Sequence, residues 1–379
     1  MYSVHFYGQM LADTPRMHAY VEALKAVVKP GAVVLDLGCG PGLFALLACQ
    51  LGARRVYAVE PDDVIQIARE AAVANKCADK IEFFQNFSSD ITLPEPADVI
   101  ISDLRGVLPW YERHLPSIID ARSRLLARGG VLIPKCDVLW ASVVEAPDSY
   151  SEIVRPWERT DVDFAAAKRV VINSWRKTRI NPEQLLAAPV CCYRVDYNTI
   201  QSNDFEADIS LVADRSGTAH GFGIWFDSEL VDDIGFSNHP REPELIYGQG
   251  FFPLEHPVEV QRGDRIELSL KADFVRNNYV WRWDTSIITG ENSEPRASFK
   301  QSTLYGVPLS PGQLRKQSAT YKPALTEAGQ VRSFLLESMT GENSLEQIAT
   351  RLVERFPNRY SDWKSAFDDV AAISLESGR

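Results

Sequence analysis

Residues Val33 to Gly42 read Val-Val-Leu-Asp-Leu-Gly-Cys-Gly-Pro-Gly, and a second apolar run, Arg55 to Val59, ends at the acid Glu60. An apolar strand that stops in a glycine turn, followed by a helical pattern and a second strand with an acid after it, constrains the chain to a buried parallel βαβ unit. The glycines let a ligand approach the backbone, and a carboxylate about twenty positions on suits ribose hydroxyls. Asp36 to Gly42 is therefore the first candidate for a nucleotide-like cofactor site. Its spacing is not the dinucleotide fingerprint, because Gly38, Gly40 and Gly42 alternate where that fingerprint keeps two residues between its second and third glycines. Pro41 also removes a backbone N–H, which argues against a pyrophosphate cradle.

The chain has 379 residues, more than one core usually covers, so two or three domains are expected. A formal net charge of −11 argues against wholesale nucleic-acid binding and suits basic or cationic partners. The six cysteines lack metal-ligand spacing, so no metal site is expected. With no secretory leader in front of them, the reading is a reducing, cytoplasmic setting. No run of eighteen apolar residues is present, and no membrane span is expected.

Short apolar runs alternate with helical patterns through residues 1 to about 140, as in a doubly wound parallel sheet. The predicted strands are Val33 to Asp36, Val56 to Glu60, Ile81 to Gln85, Val99 to Asp103 and Val131 to Pro134. Leu186 to Val195, Phe205 to Val212, His220 to Phe226, Val258 to Val260 and Ile266 to Ala272 are short and alternating, which predicts an all-β second domain over 141–325. A charged stretch, 150–180, reads as a helical arm within it. Residues 326–379 form a third, helical segment with the runs Val331 to Met339, Ser344 to Phe356 and Trp363 to Leu375. The fold class is α/β: a Rossmann-like domain, an antiparallel β-barrel-like domain and a small helical domain.

The Asp-x-Gly-x-Gly-x-Gly turn resembles the signature of class I S-adenosylmethionine (SAM) methyltransferases. After the fourth strand comes Ser102-Asp103-Leu104-Arg105-Gly106-Val107-Leu108-Pro109-Trp110-Tyr111-Glu112, with Met10-Leu11-x-Asp13-x-x-Arg16-x-x-x-Tyr20 near the start of the chain. Together these resemble the protein arginine methyltransferase family over roughly residues 2 to 290. The resemblance implies a SAM site, with S-adenosylhomocysteine (SAH) as product. Met10, Arg16, Asp36, Gly38, Cys39, Gly40, Gly42 and Leu43 would surround the methionine part, Glu60 and Pro61 the ribose, and Ser88 or Ser89 the adenine edge. Arg16 would pair with the cofactor carboxylate, a task that suits a guanidinium fork. Asp103 and Glu112 would be the catalytic pair. A protonated guanidinium offers no lone pair, and two carboxylates on its other nitrogens confine the charge and orient the reacting one. The resemblance also implies a homodimer built through the arm, and a cis peptide at Pro134.

The sequence departs from that family in three places. Asp103 stands where a longer Glu is usual, and Arg105 where an uncharged residue is usual. Arg105 facing a cationic substrate at about 6 Å costs roughly 3 kcal/mol at an effective dielectric near 20, and the same side chain can instead neutralise Asp103 or Glu112. Leu245-Ile246-Tyr247 stands where a Thr-His-Trp loop is expected, so no imidazole is offered there. Trp281 and Trp283, with period two, read as core rather than as an aromatic box. His5 and His114 are candidate bases, more often structural.

The acceptor is accordingly read as a nitrogen of a protein, peptide or small molecule. Two alternatives stay open: a natural-product methyltransferase, and a catalytically silent module that binds SAM and a peptide. The tail weakly resembles the pyrroloquinoline-quinone biosynthesis D-type domain, which implies peptide recruitment. A helical cap over the barrel is the other reading. Ser344 with Gln347 is read as a capping box.

Overall fold

The computed structural model describes residues 3–158, 161–290 and 294–378. Five strands, β1 (Val33–Leu37), β2 (Arg55–Val59), β3 (Ile81–Phe84), β4 (Ala97–Ser102) and β5 (Leu126–Ile133), form an all-parallel sheet in the order β3-β2-β1-β4-β5. Every residue of β1 is buried, the pattern of a strand covered on both faces. The covering helices are α1 (Val4–Ala12), α2 (Thr14–Val27), α3 (Leu43–Gln50), α4 (Ile65–Ala74) and α5 (His114–Arg124). Strand order reverses between β1 and β4, and a crevice opens at such a switch point beyond the carboxyl ends of the strands. Gly38, Glu60 and Asp103 each follow the last residue of a strand, so the sheet delivers all three to that edge.

The helix starts are local chemistry. Asp13 caps α2, its Oδ1 accepting from Arg16 N–H, with Pro15 in the first turn. Helix α3 begins at Gly42 (φ +86°) without a side-chain cap of its own. Asp36 Oδ2, one strand earlier, accepts from Ala45 N–H at 2.8 Å and takes that place.

The cis peptide Ile133–Pro134 leads into the second domain. There β6 (Cys136–Val144), β7 (Arg176–Thr178), β8 (Val190–Asp196), β10 (Gly217–Val231) and β12 (Gln249–Val260) run antiparallel in the order β7-β12-β10-β6-β8, with β11 (Ile234–Ser237) paired to β10. A second sheet has β9 (Phe205–Val212), β13 (Arg265–Val275), β14 (Asn278–Ile288) and β15 (Ala297–Ser302) in the order β15-β14-β13-β9. Trp281, Trp283, Phe252 and Phe222 fill the space between, each worth roughly 2–3 kcal/mol of burial. Trp281 and Trp283 are therefore core, as their period predicts. The arm is α6 (Pro147–Val154), a short 3₁₀ turn at Arg155–Trp157 and α7 (Ala165–Val171). Strand β7 then adds an edge to the sheet, where a helical arm alone was expected.

Residues 1–308 form one compact unit and 309–379 another. In the second, α8 (Pro311–Lys316), α9 (Glu327–Ser338), α10 (Leu345–Arg355) and α11 (Trp363–Ser377) carry no strand among the described residues. The core joins Val331, Leu335, Ile348, Leu352 and Val370. Ser344 and Gln347 form the expected capping box, and Asp362 with Ser365 forms another. No helix among the described residues is long and apolar enough to cross a membrane.

Candidate functional site

The glycine turn is a cradle because nothing larger fits it. Gly38 has φ +76°, and a Cβ there would lie 2.3 Å from Leu104; at Gly40, φ +50°, it would lie 2.7 Å from the ring of Tyr7 on α1. Glu60 folds back under the turn. Its Oε2 accepts from Gly40 N–H at 3.1 Å and its Oε1 from Asp62 N–H at 3.0 Å, which leaves a lone pair on each oxygen for two further donors.

Two adjoining clefts meet at Tyr7 and Gly38. The larger, about 330 Å³, is walled by Glu60, Pro61, Ser88, Leu104, Glu112 and His114 among others. The smaller, about 50 Å³, runs past Met10, Arg16, Cys39, Gly40, Leu43 and Asp103.

Asp103 is buried and fully engaged. Arg16 reaches its Oδ2 with Nε at 2.8 Å and with Nη2, and Tyr247 donates its hydroxyl at 2.7 to 2.8 Å. Arg105 lies 3.4 Å from its Oδ1. Burial pushes the carboxyl up, but the two guanidiniums outweigh it and hold it at about 2. Asp103 is thus an anion at any physiological pH. On Arg16, Nη1 also donates to the Met10 carbonyl at 3.0 Å, and the guanidinium lies over the Tyr20 ring. Tyr247 stacks on Phe236 with ring centres 5.7 Å apart.

Two family models cover consecutive parts of the chain. One describes ribosomal protein L11 methyltransferase (PrmA) and matches residues 15–133; the other describes the arginine methyltransferase oligomerization subdomain and matches 137–287. Probable protein arginine N-methyltransferase 6 of Arabidopsis thaliana is 32% identical over 238 residues, covering 60% of this chain and 54% of that protein. The chain thus spans about half the length of that relative. Protein arginine N-methyltransferase 1 of Dictyostelium discoideum is 28% identical over 273 residues, covering 69% of this chain and 80% of that protein. Among solved structures, Arabidopsis thaliana protein arginine methyltransferase 10 superposes with TM-score 0.70 at 25% identity, covering 79% of this chain and 97% of that one. The Trypanosoma brucei PRMT1 enzyme–prozyme complex superposes with TM-score 0.72 at 23% identity, covering 80% and 98%.

Over residues 15–287 this chain is similar to class I methyltransferases of the arginine-methyltransferase type.

The expected site residues separate into those on the cleft walls and those beneath them. Met10, Arg16, Gly38, Cys39, Gly40 and Leu43 line the smaller cleft, and Glu60, Pro61 and Ser88 the larger. The buried Cys39 thiol is pushed up by burial and stays protonated. Asp36 lies under the turn as the surrogate cap of α3, its Oδ1 buried without a partner. Burial first, and the nearby Glu60 charge second, push it up to about 7. Gly42 serves packing, since a Cβ there would lie 2.6 Å from Ala68 Cβ on α4. Ser89 is exposed and accepts from Arg113 at 3.4 Å, so of the two serines it is Ser88 that sits on the cleft wall.

Asp103 and Glu112, the expected catalytic pair, sit in different settings on the two adjoining clefts. Glu112 is exposed, at φ +41°, on the wall of the larger cleft, whereas Asp103 is committed to Arg16, Arg105 and Tyr247. The expected use of Arg16 on a cofactor carboxylate likewise requires it to leave Asp103. The physical reason is that a buried anion is stabilised by the cations beside it, here Arg16 and Arg105.

Sequence reasoning missed the depth of this cluster. Arg105 Nη1 donates to Asp137 Oδ1 at 2.7 Å and to Ser228 at 2.5 Å, and Nη2 donates to Tyr20. Tyr197 donates to Asp137 Oδ2 at 2.5 Å, and its oxygen lies 2.9 Å from His114 Nε2. With the Tyr197 O–H donated to Asp137, the imidazole donates from Nε2 to the Tyr197 oxygen, and Nδ1 is left buried without a partner. Burial, then Arg105, push His114 down to about 3, so it is neutral. His5 is exposed and bonded to Gln9. Among the described residues no cluster of metal-ligating side chains occurs.

Proposed function

We propose that this chain transfers a methyl group from SAM to a guanidino or amino nitrogen of a protein, peptide or small molecule, with SAH as product. The single observation that carries the reading is the continuity of the two clefts. A ribose-binding carboxylate, a glycine cradle and an ionised carboxylate line one crevice at the carboxyl edge of the sheet. The residues fit the nucleoside part of SAM: Glu60 has free lone pairs at the mouth, and the turn is closed to any Cβ. The relatives named as arginine methyltransferases, and the Trypanosoma brucei neighbour described with AdoHcy, support it.

SAM supplies an electrophilic methyl group; the chain supplies position and field. Glu60 accepts from ribose hydroxyls, Ser88 marks the adenine end, and Arg16 pairs with the cofactor carboxylate once it has swung from Asp103. Met10 and Leu43 close the methionine side. Asp103 stays beside Arg105 and the Tyr247 hydroxyl and acts by charge, orienting the acceptor nitrogen. The proton leaves on the side of Glu112, which is open to solvent. The acceptor reaches the crevice as a ligand of this cluster, and a homodimer formed through the arm completes the assembly.

Labelled SAM incubated with the protein, arginine-rich peptides and a host lysate is expected to label an acceptor. Asp103→Asn is expected to reduce turnover by at least a hundredfold. SAH affinity should stay equal or rise, because Arg16 is released. SAH binding without any labelled acceptor from the wild type would support the silent-module reading instead.

A further inference from the structure

His114 has one ring nitrogen engaged and the other not. It opens α5, is 1% exposed and stands on the wall of the larger cleft. Its Nε2 lies 2.9 Å from the Tyr197 oxygen, and the Tyr197 ring meets the imidazole edge-on with 5.4 Å between centres. Tyr197 in turn gives its O–H to Asp137 Oδ2, and Asp137 is paired with Arg105 at 2.7 Å.

This relay has a direction. The Asp137 carboxylate only accepts, so the hydroxyl donates to it, and the hydroxyl oxygen is left to accept from His114 Nε2–H. In a neutral imidazole that fixes Nδ1 as a bare lone pair. Nδ1 is buried without a partner among the described residues, and the cavity that His114 borders is the one walled by Glu60. Buried Asp137 and Tyr197 therefore keep a single acceptor in place at that wall.

An acceptor of this kind discriminates between ligands. With ribose hydroxyls on Glu60, the base lies farther along the same cleft, among Phe87 and Ser88 from the loop after β3 and His114 and Ser117 from α5. Serine hydroxyls donate or accept as needed, and the exposed Glu112 carboxylate is hydrated, so neither separates an amine from a carbonyl as a buried lone pair does. A 6-amino group brings the missing N–H. A 6-oxo group sets oxygen lone pairs against the nitrogen lone pair.

We propose that His114 Nδ1 is the specificity-determining acceptor for the exocyclic amine of the cofactor's base, with Tyr197 and Asp137 as positioning residues that hold its tautomer. The inference rests on the methyl-transfer reading above and adds to it the residue that reads the edge of the base.

The test is titration calorimetry of the full chain with SAH and with S-inosylhomocysteine, which carries a 6-oxo group and a proton on N1 in place of the amine. The wild type is expected to favour SAH by roughly tenfold or more. His114→Met, which fills the space without the acceptor, is expected to weaken SAH by roughly tenfold and to leave the inosyl compound within about twofold, since only the amine loses a partner. Tyr197→Phe lines neither cleft. It frees Nε2 and lets the proton move to Nδ1, and is expected to lower the SAH preference by about threefold or more. A preference that neither variant moves, or equal losses for both ligands, overturns this inference with the methyl-transfer reading intact. A preference that moves with His114→Met alone overturns the relay. If His114→Met binds neither ligand, the Tyr197→Phe preference decides by the same rule. Absence of SAH binding in the wild type sinks the methyl-transfer reading and this inference with it.

Discussion

Two buried residues of opposite character set how the folded state responds to acid. Asp36, raised to about 7, keeps in the native chain a proton that the unfolded chain releases near 3.9, so its contribution makes stability fall as pH climbs from about 4 to about 7. His114, lowered to about 3, refuses in the native chain a proton that the unfolded chain takes up near 6.5, so its contribution makes stability rise between about 3 and 6.5. Each slope is about 1.4 kcal/mol per pH unit where the two states differ by a whole proton. The two oppose one another between about pH 4 and 6.5. Asp36→Asn is expected to leave the rising slope and His114→Gln the falling one, read as urea-unfolding free energies at several pH values in that window. Slopes that do not separate in those directions would refute the assignment. The positions of Asp36 and Glu60 beside the turn were legible from the sequence, because a strand, a turn and an acid in order are local information, whereas the capping role of Asp36 was not. The cluster around Asp103 was not. Its bonds join Arg16 to Tyr247 and Arg105 to Ser228, positions separated by 231 and 123 residues, and no local pattern announces such partners.

At the scale of elements, the glycine turn separates strain from crowding. Gly42 and Gly31 have nearly the same φ, +86° and +88°, but a Cβ meets Ala68 at 2.6 Å in the first case and nothing within 4 Å in the second. Gly31→Ala should therefore cost only the left-handed backbone penalty, about 1–2 kcal/mol. Gly42→Ala adds overpacking against α4, for about 2–5 kcal/mol in all, seen as the larger fall in Tm. The arm makes a second prediction. Trp157 and Phe164 are exposed and lie 5.9 Å apart between ring centres, so if the proposed dimer forms through the arm, light scattering gives a two-chain mass that Trp157→Ser/Phe164→Ser lowers to a single-chain mass. Most of the parallel sheet could be read in advance because βαβ units alternate period and glycine. Strand β6 (Cys136–Val144), β15 and the first half of β12 could not. Cys136–Val144 and Gln249 to Leu254 are buried with little alternation, so period two is lost, and β15 follows β14 after residues with no strand signal.

For the whole molecule, the division falls after Pro308, and the helical unit has its own core and two capping boxes. A chain ending at Pro308 is expected to keep the Tm of the larger unit and its SAH affinity within about twofold, losing only the signal of the tail in calorimetry. A Tm lowered by more than a few degrees would show that the tail supports the larger unit. If the tail recruits a peptide, the same truncation weakens that partner alone.

Asp13 accepts from Arg16 N–H with one carboxylate oxygen and from Ile246 N–H, at 2.7 Å, with the other. The helix that carries Arg16 and the barrel loop that carries Tyr247 are thereby clasped by one short side chain, although they belong to opposite ends of the unit's sequence. A ligand that pulls on either of them tugs the second along the same clasp, so the parallel sheet and the barrel register the arrival of a guest as one body.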